Sequence, residues 1–205
     1  MNYNIIADQK TVETALASLK NNGYEVTRVN TKTEALNEIK RIIPEGASVM
    51  NGSSTTLQQI GYMDYLAEGK HGWIDLHSAV TQENDPEKRA ALRKKSVSSD
   101  YYLGSMHAVT EQGEFIVASN TGSQLPHIAF TSPNLVFVVG TQKIVPSLSA
   151  AMDRLETYVF PLESDRSMKA YGVQSKINKV LIMKGESPVM KRRIHIILVD
   201  EVLGF

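Results

Sequence analysis

The segment Asn51-Gly52-Ser53-Ser54-Thr55-Thr56-Leu57 sets one glycine and four consecutive hydroxyl residues between a short apolar run and a helical pattern. Glycine lets the backbone take a conformation that a side chain forbids. The amides that follow open a helix, and a helix N-terminus offers unpaired N–H donors and a partial positive charge that suit phosphate or carboxylate. Asn51, Gly52, Ser53, Ser54 and Thr55 are therefore candidate anion ligands, the alternative being that Ser53 or Ser54 simply caps the helix. A second candidate element spans residues 107–123, where Glu111 and Glu114 flank Gly113, an apolar run follows, and the chain then turns through small polar residues. If the fold desolvates Glu111, its raised pKa suits a general base or nucleophile; left in water it is an ordinary glutamate. Asn120, Thr121 and Gly122 are candidates to hold the far end of a small ligand, or else form a plain surface turn. His127 follows Pro126 and precedes an apolar run, which places it to face strand ends.

Other chemistries find little support. The five histidines, at 71, 77, 107, 127 and 195, include no pair at helical spacing, so no metal site is expected. His195 alternates within an apolar strand and reads as a packing residue. The serine-rich turn lacks the spacing of a hydrolase elbow, and the glycines fit neither a dinucleotide fingerprint nor a phosphate loop, so no cofactor is expected. Lysine plus arginine equals aspartate plus glutamate at 22 each, leaving no overall field to hold nucleic acid or an anionic membrane. Cysteine is absent, which removes disulfides, thiolate nucleophiles and iron–sulfur ligation. The first residues lack a secretion signal and no run is long enough to span a membrane, so the expected location is cytoplasmic.

Positioning these residues requires elements, and hydrophobic periodicity supplies them. Val12, Ala15, Leu16 and Leu19 recur at helical spacing up to Gly23, and a strand follows over 24–29. Thr31 and Glu34 have capping-box spacing, and Leu36, Ile39, Ile42 and Ile43 continue a helical stripe to Pro44 and Gly46. Residues 47–50 form a strand that feeds the hydroxyl turn. Leu57, Ile60 and Met63 predict a helix, weakened at Gly61. Residues 71–77 read as an extended connection, and Pro86 starts a helix over 87–97. That helix carries Lys88, Arg89, Arg93, Lys94 and Lys95, either a solvated face or a cover over an anionic partner. Apolar runs at 115–118 and 135–139 predict buried strands, 146–157 a helix, and 179–183 and 194–199 the last strands. The alternation predicts an α/β fold, a mostly parallel central sheet with helices on both faces. Ligands collect at the carboxyl ends of such strands, where the loops after Met50 and Ala118 both fall.

The run from Asn51 to Gly61 resembles the Gly-Ser-Ser-x-Thr-Leu-x-x-Ile-Gly signature of the LUD domain family, named for lactate utilisation. Residues 108–117 resemble that family's Ala-x-Ala-Glu-Thr-Gly-Thr strand entry, with Glu111 and Gly113 in the matching places and Gln112 and Glu114 where it has threonines. Pro126-His127-Ile128, Lys143-Ile144-Val145-Pro146 and residues 192–205 are also similar to the family. The similarity runs from about Lys40 to the end, with residues 1–40 as an N-terminal helix and strand segment of one domain covering 1–205. It implies the fold shared by ribose phosphate isomerases, glucosamine phosphate deaminases and coenzyme A transferases. It also implies a role in oxidation of lactate or a related organic acid, as an accessory protein that binds a small anionic metabolite, phosphate or carboxylate. Iron–sulfur oxidoreductase subunits are the implied partners, and a homo-oligomer the implied state; without cysteine this chain holds no cluster itself. The alternative is a free-standing isomerase or acyl-transfer enzyme for a phosphorylated or thioester substrate, with Glu111 as base or nucleophile.

Overall fold

Every residue from 135 to 139 is apolar, a pattern that suits a strand buried on both faces. In the computed structural model, which describes residues 2–205, that run is β7 (Asn134–Gly140) near the centre of a six-stranded sheet. Its neighbours are β10 (Arg193–Val199) and β4 (Tyr101–Gly104). Beyond β10 lies β1 (Glu25–Val29), and beyond β4 lie β2 (Ser48–Asn51) and the short β3 (Ile74–Asp75). Every pairing in this sheet is parallel. Alternation along β7 divides the core: Leu135, Phe137 and Val139 enter one apolar cluster, and Val136 and Val138 the other.

Helices cover both faces because their stripes match those clusters. α1 (Gln9–Asn21) buries Val12, Ala15 and Leu19 on the first face, with Asp8 as its N-cap. α2 (Lys32–Ile42) buries Ala35 and Ile39 on the second, where α3 (Thr55–Gln59) and α4 (Tyr62–Ala67) add Leu57, Tyr62 and Leu66. The predicted capping box forms in part. Thr31 Oγ1 accepts from the Glu34 amide, but the Glu34 carboxylate reaches the Asn30 amide rather than that of Thr31. The helix expected from Thr55 breaks in two at Gly61, whose φ of 78° lies in the left-handed region. Residues 71–77 hold β3 and the start of α5 (Leu76–Gln82), and α6 (Pro86–Lys95) buries none of its residues, so its basic cluster is a solvated face.

The runs at 115–118 and 179–183 join a second sheet rather than the parallel one. Its order is β8 (Ile144–Val145), β5 (Ala108–Thr110), β6 (Phe115–Ser119) and β9 (Lys179–Met183), with β6 antiparallel to both neighbours that flank it. A hairpin turn through Gly113, φ 79°, joins β5 to β6. Val109, Phe115 and Val117 face the first cluster, while Ala108 and Ile116 pack on Ala151, Leu155 and Val159. Those three belong to a helix longer than the predicted 146–157. α7 (Leu148–Arg154) passes through a π-helical segment, Leu155–Val159, into α8 (Phe160–Tyr171). Pro161 lacks the N–H an α-helix would need at that point, and the wider turn ahead of it accommodates the loss.

Candidate functional site

The carboxyl ends of β2, β4, β6 and β7 deliver their loops to one cleft of about 370 Å³, closed on the far side by the π segment and α8. Gly52, Ser53, Ser54, Thr55 and Thr56 line it from one strand end, and Ser119, Asn120 and Thr121 from another. The two polar loops picked out in the sequence therefore meet, although β6 belongs to the second sheet.

Gly52 is required for space rather than for an unusual φ. Its backbone is not left-handed, and a Cβ there would lie 2.8 Å from the Tyr102 hydroxyl and 3.0 Å from Gln124 Oε1. Ser54 caps α3, its hydroxyl accepting from the Leu57 amide at 3.2 Å, and Ser53 Oγ lies 3.3 Å from the Tyr171 hydroxyl. Tyr171 sits on α8 with Arg166, which pairs with Glu163 at 2.7 Å; hydrogen bonds from Ser53 and Arg166 lower the Tyr171 pKa. Asn120 is held in place by Asn178, whose amide donates to Oδ1 at 2.7 Å.

A lysine lies at the base of the cleft. Lys143 is 2% exposed, and its Nζ donates to Thr56 Oγ1 and Ser105 Oγ, both at 3.1 Å. Gly204 packs so closely here that a Cβ would fall 2.3 Å from Thr56 Oγ1 and 3.1 Å from Lys143 Nζ. Burial, then the neighbouring Arg154 charge, holds the Lys143 pKa well below the usual lysine value. Arg154, itself 0% exposed, donates to the His107 carbonyl and lies under the rings of Tyr3 and Tyr158, 5.6 and 5.3 Å from their centroids. Its Nε and second terminal nitrogen have no hydrogen-bond partner, and burial lowers its pKa to about 10. Among the described residues, neither Lys143 nor Arg154 forms an ion pair with a carboxylate. His107 lines the same cleft; its Nδ1 accepts from the Ala118 amide at 3.1 Å, so the neutral ring carries its proton on Nε2. Burial, with the Lys143 and Arg154 charges behind it, brings the His107 pKa down to about 3.

Four other candidates lie outside the lining. The buried Asn51 side chain turns back to the Gly52 carbonyl at 3.1 Å, leaving Oδ1 without a partner. Gly122, φ 87°, shapes its loop against the aliphatic chain of Lys179. His127 is buried behind Tyr102, stacked on that ring at 4.5 Å and bonded to Ser132 Oγ at 3.0 Å, and burial lowers its pKa to about 4. Glu111 sits in the hairpin turn at the other end of β5 and β6 from the cleft, where its amide donates to the Val145 carbonyl at 2.9 Å. No group of three or more histidine, aspartate or glutamate side chains suited to a metal occurs among the described residues. Lys143, Thr56, Ser105 and His107 were not singled out for a role by the sequence. The available signal was Lys143 itself, the one charged residue in the otherwise uncharged stretch from 134 to 152.

Residues 12–199 match the model of the LUD domain family. The chain belongs to the LUD domain family. This LUD domain also shares its fold with a DUF162 family protein from Deinococcus radiodurans, solved by crystallography at 1.70 Å. The TM-score is 0.56 over 93% of this chain and 96% of that one, at 12% identity. No curated protein matches this LUD domain. No helix among its described residues is long and apolar enough to cross a membrane.

Proposed function

We propose that this LUD domain binds a small anionic metabolite, a carboxylate or phosphate, in the cleft, and serves lactate or related organic acid utilisation as an accessory protein. One observation carries the reading: Lys143 is buried at the cleft base with no carboxylate partner. An uncompensated buried cation is costly, and a group that cannot find a counter-ion gives up its charge instead. An anion entering the cleft supplies the missing countercharge, with Arg154 adding to the field from behind. The hydroxyls of Ser53, Ser54 and Thr55 and the first amides of residues 53–56 supply neutral donors beside it. Asn120 and Thr121 close the opposite side.

Isothermal titration with lactate, pyruvate and phosphate tests the reading. Wild type is expected to bind at least one of the three, and Lys143→Met to lose that binding by at least roughly tenfold, the loss of one charge-assisted contact. Absence of binding by wild type to all three contradicts it. Steady turnover of sugar phosphates or acyl-coenzyme A esters, lost in Glu111→Gln, would instead favour an isomerase or acyl-transfer enzyme.

A further inference from the structure

A neutral amine has two N–H bonds and one lone pair. Lys143 Nζ donates to Thr56 Oγ1 and Ser105 Oγ, and Thr56 Oγ1 gives its own proton to the Leu203 carbonyl at 3.4 Å. Both N–H bonds of the neutral form are therefore satisfied by the protein, and the lone pair is the unused position. An ammonium would carry a third N–H for which the described residues give no partner. Burial and the Arg154 charge favour the neutral form too. Lysine in such a setting, desolvated and beside a second cation, is a nucleophile toward carbonyl groups. His107, with its proton on Nε2, lines the same cleft.

Resting on the anion-binding reading above, we propose that Lys143 forms a Schiff base with a small carbonyl compound bearing a carboxylate or phosphate, which the cleft holds by its anionic end. The Nζ lone pair bonds to the carbonyl carbon as the carbonyl π pair moves to oxygen. That oxygen gains a proton and the nitrogen loses one, giving a carbinolamine. The hydroxyl then takes a further proton and leaves as water while the nitrogen lone pair forms the C=N bond. Amine, carbonyl compound and one proton become a protonated imine and water, with no oxidant or reductant needed. The protons gained and lost in these steps are exchanged with solvent water, and His107 Nε2–H is a cleft donor suited to hydrogen-bond the carbonyl oxygen and then the carbinolamine hydroxyl. The iminium keeps one positive charge near the anionic end of the ligand, so the demand for countercharge at Lys143 is met in the adduct as well.

The test treats the full chain with pyruvate, glyoxylate or dihydroxyacetone phosphate, adds borohydride, and locates the product by intact and peptide mass spectrometry. The expected product gains the mass of the probe less one oxygen atom, on the peptide that holds Lys143, and is absent from Lys143→Met. Pyruvate and glyoxylate against dihydroxyacetone phosphate distinguishes a carboxylate from a phosphate as the anchoring group. Mapping on wild type does not depend on the variant folding. No adduct with any probe, or adducts confined to exposed lysines such as Lys88, overturns the proposal. Lactate, which has no ketone or aldehyde carbonyl, separates the two readings in a thermal-shift assay. Stabilisation by lactate and pyruvate without a Lys143 adduct overturns the Schiff base and leaves the anion site standing. No stabilisation by any anion, and no adduct, overturns both.

Discussion

An amine buried with only hydroxyl partners raises the free energy of the folded chain wherever the unfolded chain would hold a proton. The Lys143 pKa is lowered in the fold from an unfolded value near 10.5. Between the folded and unfolded values the unfolded chain binds more protons, so this residue lowers stability at neutral pH. Lys143→Met is therefore expected to raise the melting temperature of the ligand-free protein, by roughly 2–4 °C for each kcal/mol regained, while removing anion binding; differential scanning calorimetry checks the first and titration the second. Two histidines act below neutrality. His127 and His107 have folded pKa values of about 4 and about 3, against 6.5 unfolded. Stability must then fall as pH drops through 6.5 and continue to fall until those lower values are passed. Urea midpoints measured from about pH 7 to about pH 4.5 should show this decline. His127→Asn, which keeps a polar partner for Ser132, should flatten it. The hydroxyl turn was legible because its glycine and four hydroxyls are consecutive. Lys143 was not, because Thr56, Ser105 and Lys143 are far apart in sequence and converge only when three strand ends meet.

The elements around the cleft depend on a few local interactions. Ser54 caps α3, so Ser54→Ala should cost about 0.5–2 kcal/mol of stability whether or not a ligand is present. At Gly61 the left-handed backbone separates α3 from α4, and Gly61→Ala should cost about 1–2 kcal/mol, read as a lower urea midpoint with an unchanged slope. Gly52→Ala acts differently. The added methyl displaces Tyr102 or Gln124 and should cost about 1–3 kcal/mol through overpacking, with weaker anion binding as the cleft wall shifts. Gly61 was readable in sequence as an interruption of a helical stripe. The continuation of the helix from 148 to 171 was not, because Pro161 reads as a stop and a π-helical turn that bypasses it leaves no mark in residue spacing.

Across the whole molecule, the parallel sheet follows from sequence because β7 and most of β10 are apolar on both faces. The second sheet was harder to see. β6 and β9 have the same apolar character as parallel strands, and only the tight turn at Gly113, where a Cβ would lie 2.6 Å from the Ser18 backbone, fixes β5 and β6 as a hairpin. Phe137 joins the two layers, since it sits on β7 and its ring lies 5.5 Å from that of Phe115 on β6. Phe137→Ala should cost about 3–5 kcal/mol, and it should weaken anion binding as well, because the same layers carry the strand ends that form the cleft. The most direct measurement of that cleft is a crystal of the protein soaked in pyruvate. Electron density for the bound acid within hydrogen-bonding or bonding distance of Lys143 Nζ, with its carboxylate toward residues 53–56, is the predicted result; an empty cleft at saturating pyruvate, or density only elsewhere on the surface, would contradict the account.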